Sequence, residues 1–251
     1  MKTSRQFAEA VARHLLSPFV PDRKALPFQY WLHMLGGPCG PELTQIEKFF
    51  CGTGIALDIG ANLGLFTYRL SKSFRHVYAF EINPDLAAPI LEYNPGNITL
   101  YSCGLSSAPR IAKLYVPVMR GSPLTGWASL NPRNLPAAQS FVEKDVEVKP
   151  LDGFGLTGVD FIKIDVEGHE LEVIQGAAAT IEQSRPVLLV EVKDQNLQAV
   201  NTWFKDRDFR QISLAHVFQL KRSENYLFVP AEKLDQLAIN TLLPSAQTIP
   251  Q

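Results

Sequence analysis

From Ile55 onward the chain repeats one unit, a short apolar and largely β-branched run followed by a stretch with helical spacing. IALD leads into LGLFTYRLSKS, VYAFE into PDLAAPILEY, VDFIKID into ELEVIQGAAATIEQ and PVLLVEV into NLQAVNTWFKDR, with ITLYS as a further strand. Strands that are apolar along their whole length need cover on both faces, and helices placed between successive strands give a parallel sheet. The class is therefore α/β. With 46% hydrophobic and 20% charged residues there is material for a substantial core. The 24 basic and 25 acidic residues leave a net charge of −1, which gives no field to attract a phosphate backbone. Nucleic acid is not an expected partner.

Two stretches depart from the repeat. In the first, residues 1–50, Phe7, Val11 and Leu15 share a helical face, Pro18, Pro21 and Pro27 interrupt the path, and ELTQIEKFF gives another amphipathic turn or two. It reads as an N-terminal helical cap on a main domain at 51–251. The second, at about 105–158, holds IAKLYVPV, GSPLTGWASLNPRNLP and DVEVKPLD, which read as strands and loops in place of a crossover helix. Insertions of that length are usually lids or binding loops, so acceptor specificity is expected here and in the cap. FRQISLA, HVFQLKR and NYLFVP alternate at period two and are expected as antiparallel strands at a sheet edge.

Cys39, Cys51 and Cys103 form no CxxC pair, which fits a reducing compartment. The N-terminal MKTSRQFAEAVARHLL is broken by charges, and no run of apolar residues reaches membrane-spanning length. A cytoplasmic protein without a membrane span is expected.

The sharpest local signal is Asp58-Ile59-Gly60-Ala61-Asn62-Leu63-Gly64, a strand ending in an acid, a glycine turn and a helix start. Gly60 and Gly64 permit a tight turn and close approach to a ligand, and a helix start offers unpaired N–H groups. Asn62 stands where a dinucleotide fingerprint has its second glycine, and an acid beside the turn repels a pyrophosphate. A ligand with an amino group suits the turn better. Glu81 closes the next strand 21 residues beyond Gly60, where an acid can take both ribose hydroxyls. A nucleoside carrying an ammonium group and no pyrophosphate follows, and S-adenosylmethionine fits that description.

Farther along, Asp165 ends the strand VDFIKID, and Glu167, His169 and Glu170 follow it into a helix. In an open α/β sheet this is the mouth of the ligand crevice. Acids at a helix start also answer the helix dipole, which is the plainer account of Glu167 and Glu170.

LDIGANLG, VYAFE followed by Asn83-Pro84, IKIDVEGHELEVIQGA and the late NYLFV together resemble the FkbM family of S-adenosylmethionine-dependent methyltransferases, from about Thr53 to Val229. The DVEG turn is the most family-specific part. The resemblance implies a Rossmann-like sheet of seven strands with the last antiparallel, and methyl transfer, usually to an oxygen of a sugar or natural product. It also implies that Asp58, Gly60 and Asn62 line the methionine end of the cofactor, with Gly64 in the same turn. Glu81 would bind the ribose, and Asp165 would face the transferable methyl. An adenine contact is expected after the third strand, where Ser102 and Gly104 are the candidates in a stretch without an acid.

A sugar hydroxyl is a poor nucleophile near neutral pH, so a base is wanted. His169 is the candidate on intrinsic pKa, with Asp165 or Glu191 to orient it or replace it. Asp165, Glu167, His169 and Glu191 are also candidate ligands for a divalent ion, although spacing does not require one. Trp127, Trp31, Tyr30 and His33 are candidates for closing over an acceptor ring, and Arg120 and Arg133 for meeting an anionic one. The expected partner is a small-molecule or glycan acceptor. Two other readings stand beside this one: an NAD-dependent oxidoreductase, which should show the missing glycine, and a nucleoside-binding module without catalysis.

Overall fold

The computed structural model describes residues 20–36, 40–93, 95–119, 121–132 and 140–237. The expectations for Phe7, Val11, Leu15, Pro18, Cys39, Arg120 and Arg133 lie outside them. In chain order the elements are α1 (Asp22–Gly36), α2 (Pro41–Thr44), β1 (Ile55–Ile59), α3 (Leu65–Ser71), β2 (His76–Phe80), α4 (Pro84–Tyr93), β3 (Ile98–Tyr101), β4 (Gly104–Leu105), β5 (Arg110–Met119), β6 (Ser122–Pro123), β7 (Ser140–Lys149), β8 (Val159–Ile164), α5 (Glu170–Gly176), α6 (Ala178–Ser184), β9 (Val187–Glu191), α7 (Asp194–Lys205), β10 (Phe209–Ser213), α8 (Leu214–Val217) and β11 (Asn225–Pro230).

Seven strands form one sheet in the order β10-β11-β9-β8-β1-β2-β3. All run parallel except β11, which pairs antiparallel with both β9 and β10. The seven-stranded sheet with its last strand antiparallel is as the sequence led us to expect. Each face of the sheet has its own core, and neighbouring residues on a strand go to opposite faces. Ala56, Phe161, Leu189 and Leu227 join one cluster, while Leu57, Ile162, Leu188 and Phe228 join the other. That two-sided burial is the physical cause of the continuous apolar runs in the sequence. The chain leaves β1 toward β2 and β3, then returns on the far side as β8, so a crevice opens where the carboxyl ends of β1 and β8 diverge.

The stretch at 105–158 folds onto a second sheet of order β4-β7-β5-β6, in which β5 and β7 pair antiparallel from Arg110↔Val148 to Val118↔Ser140. Strands do replace the crossover helix there. Three local expectations are corrected. Helix α1 runs through Pro27 without breaking, and its Leu26 is fully buried in the first core cluster. HVFQLKR is not a strand: Leu214 and Val217 bury themselves one helical turn apart in α8, and a turn leads on to β11. NYLFVP forms β11 inside the sheet rather than at its edge, which β10 occupies. Among the described residues no helix is long and apolar enough to cross a membrane.

Gly64 caps α3 at φ 85°, a backbone conformation that suits glycine. A Cβ there would lie 2.5 Å from Ile90 Cγ1 on α4 and 3.2 Å from Leu26 Cδ2 on α1, so this glycine lets three helices close up. Gly64→Ala is expected to lower stability by about 1–3 kcal/mol through overpacking and backbone strain. Chemical denaturation checks this, and an unchanged midpoint would show that α3 moves off α4 at no cost.

Candidate functional site

The turn after β1 is stitched to the end of β2. Gly60 N and Ala61 N both donate to Phe80 O at 3.0 Å. Asn62 takes φ 52°, a left-handed conformation that asparagine tolerates, and its N–H donates to Glu81 Oε2 at 2.6 Å. Glu81 Oε1 accepts from Asn83 N at 2.7 Å. Each oxygen of the buried Glu81 carboxylate is thus held by one backbone N–H and keeps lone-pair capacity for a second donor. Burial pushes this carboxyl above its ordinary value, against the pull of those two N–H groups.

The turn also touches the loop after β8. Gly60 stands at φ 76°, and a Cβ there would collide with the carbonyl oxygen of Asp165. Lys163, the penultimate residue of β8, ties the two together. Its buried Nζ donates to Gly60 O at 2.8 Å and lies 3.4 Å from both Asp58 Oδ1 and Asp165 Oδ2, with the Phe66 ring 5.1 Å away. Burial alone would pull the ammonium down, but Asp165 and Asp58 outweigh it, and Lys163 sits above its ordinary value.

Beyond Asp165 the chain reverses through Glu167 at φ 50° and Gly168 at φ 93°. Glu170, 1% exposed, closes that turn: its carboxylate accepts from Gly168 N at 2.5 Å and from Asn196 Nδ2 at 3.1 Å. The DVEGHE pattern therefore has a mechanical cause, because the acid that starts the helix holds the glycine two residues before it. His169, also buried, is hydrogen-bonded at Nε2 and has a carboxylate near Nδ1. Nε2 lies 3.0 Å from Ser106 Oγ, which accepts from Arg110 Nη1 at 2.9 Å, and Nδ1 lies 3.5 Å from Glu172 Oε2. With Arg110 donating to Ser106, the serine hydrogen can point at Nε2. Burial, outweighing Glu172, holds the imidazole below its ordinary value and so favours this neutral arrangement.

The loops enclose a cavity of about 740 Å³, open mouth included. It is lined by Ile59, Gly60 and Asn62, by Phe80, Glu81 and Ile82, by Cys103, Gly104 and Leu105, by Asp165 through Glu167 with His169, and by Leu114 and residues of 125–130 from the second sheet. Of the residues singled out in sequence, Gly60, Asn62, Glu81, Gly104, Asp165, Glu167 and His169 meet there. Asp58, Gly64, Ser102 and Glu191 do not line it. Asp58 is fully buried beneath the turn, its Oδ2 accepting from Thr67 Oγ1 at 2.5 Å. Gly64 serves helix packing, and Ser102 is exposed while Cys103 and Leu105 face the cavity. Glu191 lies behind Asp165. Oxygens of Asp165, Glu167 and Glu191 fall within 4.8 Å of one another, a spacing open to a metal ion. Lys193 Nζ already supplies positive charge to this group, at 3.3 Å from Glu167, 3.1 Å from Glu191 and 3.0 Å from Glu224. Trp127 and Trp31, 50% and 53% exposed, are not among the lining residues.

Sequence reasoning missed Lys163, Ser129 and Leu114. A lysine inside an otherwise apolar strand was the visible signal for the first; no sequence signal marked the other two.

A family model described as "Methyltransferase FkbM domain" matches residues 58–220. Among curated proteins, the chain is 29% identical over 147 residues to the hexuronic acid methyltransferase AglP of Haloferax volcanii, covering 54% of each chain. It is 28% identical over 141 residues to Methyltransferase 1 of Beauveria bassiana, covering 48% of this chain and 57% of the relative. The chain thus spans a little over half the length of these relatives. Among solved structures, an FkbM methyltransferase from Methylobacillus flagellatus is 16% identical with a TM-score of 0.49, over 88% of this chain and 58% of that one.

Burial, then the charge of Asp165, pushes Glu191 up to about 7. Between an ordinary carboxyl value, which the unfolded chain has, and about 7, the folded chain keeps a proton that the unfolded chain loses. The stabilisation this gives is complete at low pH and is lost as pH rises through about 7. Glu191→Gln, fixed in the neutral state, should raise the thermal midpoint above wild type at pH 8 and leave it unchanged near pH 4. A variant that is no more stable at pH 8 would contradict the burial of this charge.

Proposed function

The chain belongs to the FkbM methyltransferase domain family, and from that premise we propose that it is an S-adenosylmethionine-dependent O-methyltransferase acting on a hydroxyl of a sugar, glycan or natural product. One observation carries the cofactor reading: a single cavity joins a turn that has no room for a Cβ at Gly60, a Glu81 carboxylate with spare capacity on each oxygen, and Asp165. The residues fit the group. Glu81 suits a ribose diol, the carboxylates of Asp165 and Glu167 suit an ammonium and a sulfonium, and Ile82, Cys103, Leu105 and Leu114 offer apolar walls for a base. The same acids oppose a pyrophosphate, which disfavours NAD. The Haloferax relative, a hexuronic acid methyltransferase, supports a sugar acceptor.

When bound, S-adenosylmethionine supplies an electrophilic methyl group, and the chain's own residues have to align the acceptor and take its proton. Asp165 carries that role in our reading. Its side chain is 34% exposed, it lines the cavity, and Lys163 fixes its direction. It would take the acceptor hydroxyl's proton, with Glu191, whose carboxylate oxygen lies within 4.8 Å, sharing the charge. His169 is then a wall residue rather than the base, since Ser106 Oγ sits 3.0 Å from its Nε2 and burial holds the imidazole below its ordinary value. Lys193 supplies the positive charge that a divalent ion would bring to Glu167 and Glu191, so chelator should leave the reaction unaffected.

Calorimetry tests the cofactor assignment. The chain should bind S-adenosylmethionine and not NAD, and Glu81→Ala should weaken binding by about 1.5–3 kcal/mol for each charged hydrogen bond lost. Unchanged affinity in a folded Glu81→Ala chain would remove the ribose assignment. Against a panel of free monosaccharides, labelled methyl transfer should rise with pH through about 7, following Glu191, and that inflection should disappear in Glu191→Gln. Cofactor binding without transfer to any acceptor would favour a non-catalytic binding module.

A further inference from the structure

The stretch at 105–158, which sequence spacing assigned to the acceptor, lines the cavity through Leu114, Thr125, Gly126, Ala128, Ser129 and Leu130. What holds it there is Ser129, 1% exposed. Its backbone pairs in both directions with Tyr115 on β5, Tyr115 N donating to Ser129 O at 2.9 Å and Ser129 N to Tyr115 O at 3.1 Å. Its Oγ accepts from Asn131 N at 3.1 Å and donates to the carbonyl of Glu167 at 2.8 Å. One residue thus fastens the second sheet to the turn after β8. Three residues earlier, Gly126 lies against the other loop: a Cβ there would come 3.2 Å from Asn62 Nδ2. This short segment therefore reaches both non-glycine residues of the crevice that take a left-handed conformation, Asn62 and Glu167.

We propose that this segment is a wall of the cofactor site, and that Ser129 is the positioning residue that holds it closed over the bound nucleoside. The inference rests on the reading of the cavity as an S-adenosylmethionine site. The segment lines the same cavity as the Gly60 turn and Asp165, so loosening the Ser129 contact is expected to act on release of a ligand bound there. Removing the hydroxyl takes away the bond from Ser129 Oγ to the Glu167 carbonyl and loosens the segment's hold on that turn.

The test uses the full chain and S-adenosylhomocysteine, with dissociation followed by stopped flow and the thermal midpoint of the ligand-free chain measured alongside. Ser129→Ala is expected to release the ligand roughly three- to tenfold faster, the worth of one buried hydrogen bond. Gly126→Ala, whose Cβ would come 3.2 Å from Asn62 Nδ2, strains the same segment against the Gly60 turn; it should speed release in the same direction and covers the case in which Ser129→Ala does not fold. A merely structural serine would lower the midpoint and leave release unchanged; unchanged release in the folded variants overturns the inference and leaves the cofactor reading standing. If wild type binds neither S-adenosylmethionine nor S-adenosylhomocysteine, the cofactor reading fails and the inference falls with it.

Discussion

A buried ammonium is expensive unless carboxylates and hydrogen bonds surround it, and in this chain Lys163 is surrounded on every side that matters. Gly60 O, Asp58 and Asp165 all meet its Nζ. The strand end, the first turn and the acid after β8 are therefore one electrostatic unit. Deleting the lysine would take from the fully buried Asp58 the cation 3.4 Å from its Oδ1, an oxygen with no hydrogen-bond partner among the described residues. The cavity inherits its shape from this unit, because the contact between Gly60 and the Asp165 carbonyl depends on both loops being drawn inward together.

Around that centre the division of labour follows from which atoms are already engaged. Glu170 spends its carboxylate on the turn, and His169 is tied through Nε2 to Ser106. Asp165 and Glu81 keep capacity for a ligand, one beside a cation and one beside backbone N–H groups. The acids crowded behind Asp165 share Lys193 as their counter-charge, and the residual repulsion is what lifts Glu167 and Glu191, after burial itself.

Much of this was legible in the sequence because it rests on local pattern. Two-sided burial writes itself as continuous apolar strands, and the Gly60 turn and Glu81 stand at a spacing set by one βαβ unit. The rest depended on contacts between distant segments. Asp58 belongs to the same motif as Gly60 but turns under the sheet's end to Thr67 and Lys163, and no spacing shows that. Gly64 reads as a ligand glycine until Ile90 and Leu26 are seen against it. HVFQLKR alternates like a strand, yet burying Leu214 and Val217 on one face outweighed that pattern. The placement of Ser129 needed the second sheet to be folded back over the first, 38 residues from the Glu167 carbonyl it meets.

The central claim is that the crevice between the Gly60 turn and Asp165 holds an S-adenosyl ligand with its ribose on Glu81. A crystal structure of the chain with S-adenosylhomocysteine tests it most directly. The account predicts both ribose hydroxyls within hydrogen-bond distance of Glu81, the base among Ile82, Leu105 and Leu114, and the sulfur on the side of Asp165. A nucleoside bound elsewhere on the chain, or one in the cavity with Glu81 still touched only by Asn62 and Asn83, would contradict it.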